Sequence, residues 1–207
     1  MLLNTLVVGF GVNCYIVGSE QKNEAIVIDP GDEARRIFDV IEERQYSIKA
    51  ILLTHGHFDH TGAAAELSEM TAARIFAHPS EIEIIKDPML NLSGMFGVAR
   101  GFDATIELLT DGQLLELGEM RLKVIHTPGH TPGGISILAG EGVFCGDLVF
   151  AGSIGRTDLP GGSWETMEST LRNKILNLPD RLTLYPGHGR PTSIGAERLH
   201  NPYLMGL

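Results

Sequence analysis

Short apolar blocks that read as strands alternate with amphipathic stretches along the first half of the chain. Positions 1–8 form the first such block, closed by the turn Gly9-Phe10-Gly11. Val12–Val17 and Ala25–Ile28 read as buried strands on either side of a polar turn at 19–23. Asp29-Pro30-Gly31-Asp32 then ends a strand and caps a helix over Glu33–Arg44, whose Ala34, Ile37, Phe38 and Ile41 follow helical spacing. A strand at Ile48–Thr54, a helix from Gly62 to Met70, a short strand near Ile75 and a helix opened by the capping box Ser80-Glu81-Ile82-Glu83 complete this half. Asp87–Gly101 breaks the pattern, with no clear period. It reads as a mobile loop, either a plain surface excursion or a flap facing substrate.

Strands return at Ile106–Leu109, Leu114–Leu117, Arg121–Ile125, Ile135–Leu138 and Val143–Cys145. A helix over Trp164–Leu176 starts from Ser163, and Leu182–Tyr185 is a last strand. The order predicts an α/β protein made of two similar halves, each a sheet with helices on its outside, packed face to face. A chain of 207 residues fits one domain over 1–207.

Composition changes this picture only slightly, since abundant glycine and proline suit a turn-rich globular protein. The net charge of −10 argues against nucleic-acid binding, which needs a clustered Lys/Arg face. The acid excess lies wholly before Asp147, so an anionic substrate would be better received by the later, balanced segment. Cys14 and Cys145, both in apolar surroundings, read as reduced buried thiols, and Cys145 as packing rather than a nucleophile. The N-terminus lacks a basic leader, and no apolar run is long enough to span a bilayer, so the expectation is a cytoplasmic enzyme.

The candidate chemistry is concentrated in Thr54-His55-Gly56-His57-Phe58-Asp59-His60, read as a loop between a strand and a helix. His55 and His57, two apart, can fork onto one ion from extended backbone, and Asp59 and His60 can face a second. Three further groups stand at strand ends beside glycine: His130, Asp147 and His188. A hydrolytic dinuclear site needs nitrogen and carboxylate ligands around two ions about 3.5–4 Å apart. The expected first ion takes His55, His57 and His130, the second takes Asp59, His60 and His188, and Asp147 bridges them. Three histidines lie outside this scheme. His78 reads as structural, His126 as a hydrogen-bonding partner within the loop of His130, and His200 as a helix-end residue.

Together, Thr-His-x-His-x-Asp-His at 54–60, His130, Asp147 and His188 resemble the metallo-β-lactamase superfamily over most of the chain. The resemblance implies an αβ/βα four-layer sandwich of two mixed β-sheets with helices on the outer faces. It also implies that Asp29 supports the metal loop by hydrogen bonding. Within the superfamily the chain looks most like the glyoxalase II (hydroxyacylglutathione hydrolase) group. The segments that carry this are His126–Gly133, Gly146–Phe150 and Tyr185–Gly189. Gly152–Asp158 and Asn201–Leu204 resemble its short bacterial branch, which lacks the C-terminal helical domain of the longer enzymes.

That resemblance implies a metal-dependent thioester hydrolase acting on S-D-lactoylglutathione or a related acyl thioester, with a metal-bridging hydroxide as nucleophile and Asp59 and Asp147 as the catalytic carboxylates. Zinc is the first expectation for the two divalent ions, with iron or manganese possible on a His/Asp donor set. Arg156, by its place after Asp147 and its charge, is the candidate grip for an anionic substrate group, or else a structural partner of Asp158. Rival readings are a mononuclear iron(II) persulfide dioxygenase of the same fold, a β-lactamase and a non-catalytic metal-dependent module. An aspartate at the bridging position and a full ligand set weigh against the last two.

Overall fold

The computed structural model describes every residue except Met1, Glu20 and Glu119, so the start of the first predicted strand and one position of the turn at 19–23 lie outside the described residues. The first sheet is built from β1 (Leu2–Val8), β2 (Val12–Gly18), β3 (Glu24–Ile28), β4 (Ser47–Leu52), β5 (Arg74–Ala77) and β6 (Ile106–Leu108), adjacent in that order. Its first three strands pair antiparallel and β3 to β6 pair parallel. The parallel crossovers are made by α1 (Ala34–Glu43), by α2 (Phe58–Thr61) with α3 (Ala64–Thr71), and by a segment that includes α4 (Ile82–Lys86).

The second sheet contains β7 (Leu114–Leu117), β8 (Met120–His126), β9 (Ile135–Ala139) and β10 (Gly142–Gly146), an antiparallel meander. After the small hairpin β11 (Val149–Phe150) and β12 (Ser153–Ile154), helix α5 (Trp164–Thr170) leads to β13 (Thr183–Pro186), parallel to β10. β14 (Thr192–Ser193) and α6 (Ile194–His200) follow, with His200 closing the helix as expected.

Three separate apolar clusters show why the sheets stack this way. Alternate residues of β2 and β3 point to opposite sides. Cys14, Ile16, Ala25 and Val27 meet Ile37, Ile41 and Leu67 of the helices, whereas Tyr15, Val17, Ile26 and Ile28 face the other sheet. In β10, Phe144 enters the inter-sheet core while Val143 and Cys145 pack against Met167, Leu171 and Ile175. Helix, sheet, sheet and helix therefore form four layers, as the sequence predicts. Phe144 is fully buried, stacked on Tyr185 at 4.9 Å and edge-on to Tyr15 at 5.1 Å. Replacing it with alanine should cost about 3–5 kcal/mol, read as a lower urea midpoint at an unchanged slope.

Three local expectations need correction. The predicted helix 62–70 is α3, starting at Ala64, and a separate helical turn over Phe58–Thr61 lies inside the ligand run, where the sequence predicts a loop. The capping box at Ser80 does not form. Pro79 starts a short 3₁₀ turn capped by the His78 ring, which accepts the Ser80 N–H at 3.3 Å. The Glu81 carboxylate turns inward instead. Finally, the helix from Ser163 loosens into a π turn over Leu171–Ile175.

Candidate metal centre

β4 ends at Leu52, and the chain crosses to the site with His57 still extended, at φ −66° and ψ 145°. Asp59 and His60 then sit on the helical turn α2, so their side chains leave at different angles from those of His55 and His57. This change of backbone divides the four neighbouring candidate ligands into two pairs.

His55 Nε2 lies 3.1 Å from His57 Nδ1, and His130 Nε2 lies 3.0 Å from the same atom. Two nitrogens on a tetrahedral zinc ion stand about 3.3 Å apart, given bonds near 2.0–2.1 Å. Three converging ring nitrogens at this spacing fit a shared cation. Asp59, His60 and His188 form a second group, with ligand atoms within 4.8 Å of one another. Asp147 stands between the two, with Oδ2 3.7 Å from both His130 Nε2 and His188 Nε2, and Oδ1 3.4 Å from His60 Nε2. All seven ligand residues named from the sequence thus meet in one place.

The outer nitrogens of His55, His60, His130 and His188 are held so that the inner ones face the centre. Asp29 accepts the Thr54 N–H at 2.8 Å and the Thr54 hydroxyl at 2.6 Å, which leaves that hydroxyl to accept from His55 Nδ1 at 3.1 Å. The same carboxylate accepts from His60 Nδ1 at 2.9 Å. His130 Nδ1 donates to the Arg156 carbonyl at 2.8 Å and His188 Nδ1 to the Gly11 carbonyl at 3.1 Å. Each bond fixes a tautomer with its lone pair turned inward. Asp29, His55 and His60 are also clustered, but Asp29 is occupied as the acceptor of this network.

Backbone geometry allows the close approach. A Cβ at Gly187 would run into Asp147 Oδ1 and His60 Cε1, and Gly146 has φ of 50° with no room beside Thr54. From the other sheet, Asn13 donates to the Pro186 and Gly189 carbonyls at 3.0 and 2.8 Å, clasping the loop of His188.

The electrostatics differ between the two groups. Burial, with neighbouring imidazoles adding to it, lowers His55 far below its ordinary pKa and takes His57 to about 3; burial also lowers His130. The first group is therefore a neutral nitrogen set. In the second, burial opposes a charge on His60, but Asp147, Asp59 and Asp29 together hold its pKa well above the usual value. His188 is raised by its bond to Asp59. Burial raises the carboxyls of Asp59 and Asp147, and His60 outweighs it to leave both below the ordinary range. Buried His60 Nε2 and Asp147 Oδ1 have no hydrogen-bond partner. These features fit a resident cation: the group that stabilises protons on imidazole would accept positive charge in their place.

A family description of the Metallo-beta-lactamase superfamily matches residues 7–188. The chain belongs to the metallo-beta-lactamase superfamily. The hydroxyacylglutathione hydrolase GloC of Haemophilus influenzae is 38% identical over 203 residues, 96% of this chain and 95% of that protein. Among solved structures, BLEG-1, a B3 metallo-beta-lactamase, superposes with a TM-score of 0.95 at 36% identity, covering 99% of this chain and 100% of that one. TTHA1623, in a di-iron-bound form, superposes with a TM-score of 0.87 at 34% identity, with the same coverage. The superfamily fold with this His/Asp cluster implies bound metal ions.

Other sequence expectations are met unevenly in this superfamily frame. Arg156 lines the cavity over the centre, yet its guanidinium is held by Asp158 through two bonds of 2.7 and 2.8 Å. Its backbone carbonyl, not its charge, contacts a predicted ligand. His126 does bond within its loop, to the Pro132 carbonyl at 3.0 Å, and stacks on His78 at 4.2 Å. Both cysteines are free and buried, with burial pushing Cys145 up to about 12, so neither offers a ready thiolate.

Sequence reasoning missed Glu81. It is fully buried and accepts the Gly56 N–H through one oxygen and the Gly133 N–H through the other, both at 2.6 Å. One carboxylate thereby ties the His55/His57 segment to the loop of His130. The only local signal was an acid beside Pro79, which suits a helix start equally well.

Asp29→Asn should weaken metal binding about 10–100-fold, because an amide nitrogen cannot accept the bonds that orient His60 and Thr54. Competition against a chromophoric chelator measures this. Unchanged affinity would remove Asp29 from any supporting role.

Proposed function

We propose that the chain is a metal-dependent hydrolase of acyl thioesters, S-D-lactoylglutathione or a related compound, working at a dinuclear centre. The observation that carries this reading is the place of Asp147 between a triad of neutral imidazoles and a second group that adds the Asp59 carboxylate. In this assignment His55, His57 and His130 hold the first ion, Asp59, His60 and His188 the second, and Asp147 bridges them. Zinc is the first choice, with iron or manganese as alternatives. Such ions, when bound, supply Lewis acidity and lower the pKa of water towards neutrality.

The chain's own residues do the rest. Asp29 and the carbonyls of Gly11 and Arg156 keep the imidazoles aimed, so the ligands do not reorganise during turnover. A cavity of about 730 Å³ opens directly over His57, Asp59, His130, Asp147 and His188, and can bring a carbonyl to the centre. The likeness to GloC supports a thioester as substrate. A small-molecule acyl thioester is the partner in this reading, and nucleic acid is not, given the charge of −10. No helix among the described residues is long and apolar enough to cross a membrane.

The test is hydrolysis of a thioester panel by protein stripped with chelator and reloaded with zinc, manganese or iron(II), with metal counted per chain. Loss on stripping and recovery on reloading with two ions is expected. Oxygen uptake on glutathione persulfide with a single iron would replace this reading with a dioxygenase. Faster turnover of a β-lactam than of any thioester would replace it with a lactamase.

A further inference from the structure

The segment 87–101 is fastened, not loose. Asn91 donates its amide to the Ile85 and Arg100 carbonyls at 3.1 and 2.7 Å, and its own carbonyl accepts the Phe58 N–H at 3.0 Å. Ser93 and Arg100 exchange two more bonds, at 2.7 and 2.9 Å. This strap holds Leu92, Met95 and Phe96 on the wall of the cavity beside the metal centre. Phe96 meets Phe10 at 5.4 Å and Phe58 at 5.5 Å, and Phe10 meets Phe58 edge-on at 5.0 Å. Phe10 remains 52%, Phe96 60% and Met95 65% exposed. A contiguous set of large apolar side chains held in water next to ligands is the mark of a binding surface.

Cationic side chains are scarce in the same lining. Among the described lining residues Arg156 is the sole Lys or Arg, and Asp158 already neutralises it. A glutathione thioester brings two carboxylates and an ammonium into this space, and beyond the metal site the described lining residues offer the former no unpaired Lys or Arg. We propose that the preferred thioester carries an uncharged apolar group, alkyl or aryl, seated against Phe10, Phe58 and Phe96. This rests on the thioester-hydrolase reading and narrows its substrate class.

The test compares kcat/KM of the zinc-loaded enzyme on N-acetylcysteamine thioesters bearing acetyl, hexanoyl or phenylacetyl groups. A second arm keeps the acetyl group and changes the thiol to benzyl mercaptan, which tells whether the acyl or the thiol side takes the wall. S-D-lactoylglutathione is run alongside. Each buried methylene is worth roughly fourfold, so the better apolar arm should exceed its acetyl N-acetylcysteamine reference by at least about tenfold. Phe96→Ser should shrink that ratio severalfold. Ratios within twofold in both arms, or S-D-lactoylglutathione outrunning every apolar thioester, would overturn the proposal. An independent arm measures calorimetric binding to metal-free protein of ketone analogues in which a methylene separates carbonyl from sulfur. Tighter binding and a more negative heat capacity change for the hexyl and phenyl analogues than for the methyl one are expected. If no thioester is hydrolysed, the hydrolase reading fails, while this binding series still decides whether the wall selects apolar groups.

Discussion

Asp147→Ala should reduce kcat by at least about a thousandfold while leaving the fold intact, the scale on which loss of an essential catalytic group is felt. The side chain stands just past the end of β10 and belongs to none of the three apolar clusters, so truncation opens no core cavity. What it removes is the one carboxylate facing both groups, at 3.4 Å from His60 and 3.7 Å from His130 and His188. Two cations held without a shared anion repel each other more strongly, so metal content should fall below two per chain along with the rate. Asp59→Ala is the informative companion. It leaves the His55, His57 and His130 triad complete, so one ion should remain bound while turnover is lost. Stoichiometry by elemental analysis, kcat on a thioester and the circular dichroism spectrum separate these effects. Full rate in both variants would sink the dinuclear assignment.

The sequence made this centre legible because its ligands are rare residues packed at strand ends, where an extended strand gives way to a glycine-bearing loop. His55, His57, His130, Asp147 and His188 share that setting, and the four-layer stack follows from alternating apolar strands with helices between them. Less legible was anything whose meaning depends on what lies opposite in space. The turn at Phe58–Thr61 looked like loop because its ligands are polar, although it is helical and so separates Asp59 and His60 from their neighbours. The segment 87–101 has no period to read, since its one short 3₁₀ turn at Ser93–Phe96 leaves the rest to be shaped by the Asn91, Ser93 and Arg100 bonds. In the sequence Arg156 reads either as a substrate grip or as a partner of Asp158, and the pairing with Asp158 is the one that forms.

Glu81→Ala should cost about 2–6 kcal/mol of stability and loosen the first metal site before the second. Each of the two N–H groups it satisfies, those of Gly56 and Gly133, would be left buried without an acceptor, at about 1–3 kcal/mol apiece. Burial raises the Glu81 carboxyl, and the hydrogen bonds it accepts from Gly56 and Gly133 oppose that rise. The position of the lost bonds decides the functional consequence. Gly56 lies between His55 and His57, and Gly133 lies three residues after His130, so the strap spans the two segments that make the neutral triad. His60 and His188 are held by other contacts, through Asp29 and the Gly11 carbonyl. Zinc affinity at the first site should therefore fall by about tenfold or more, while the second site changes little. Glu81→Gln keeps one acceptor oxygen and sets an NH₂ against the other N–H, and it should fall between wild type and alanine on both measures. Urea unfolding of metal-free protein, with competition titrations resolved into two sites, tests this. Equal weakening at both sites would mean that Glu81 stabilises the fold without setting the triad's geometry, and an unchanged midpoint would mean that water satisfies both N–H groups.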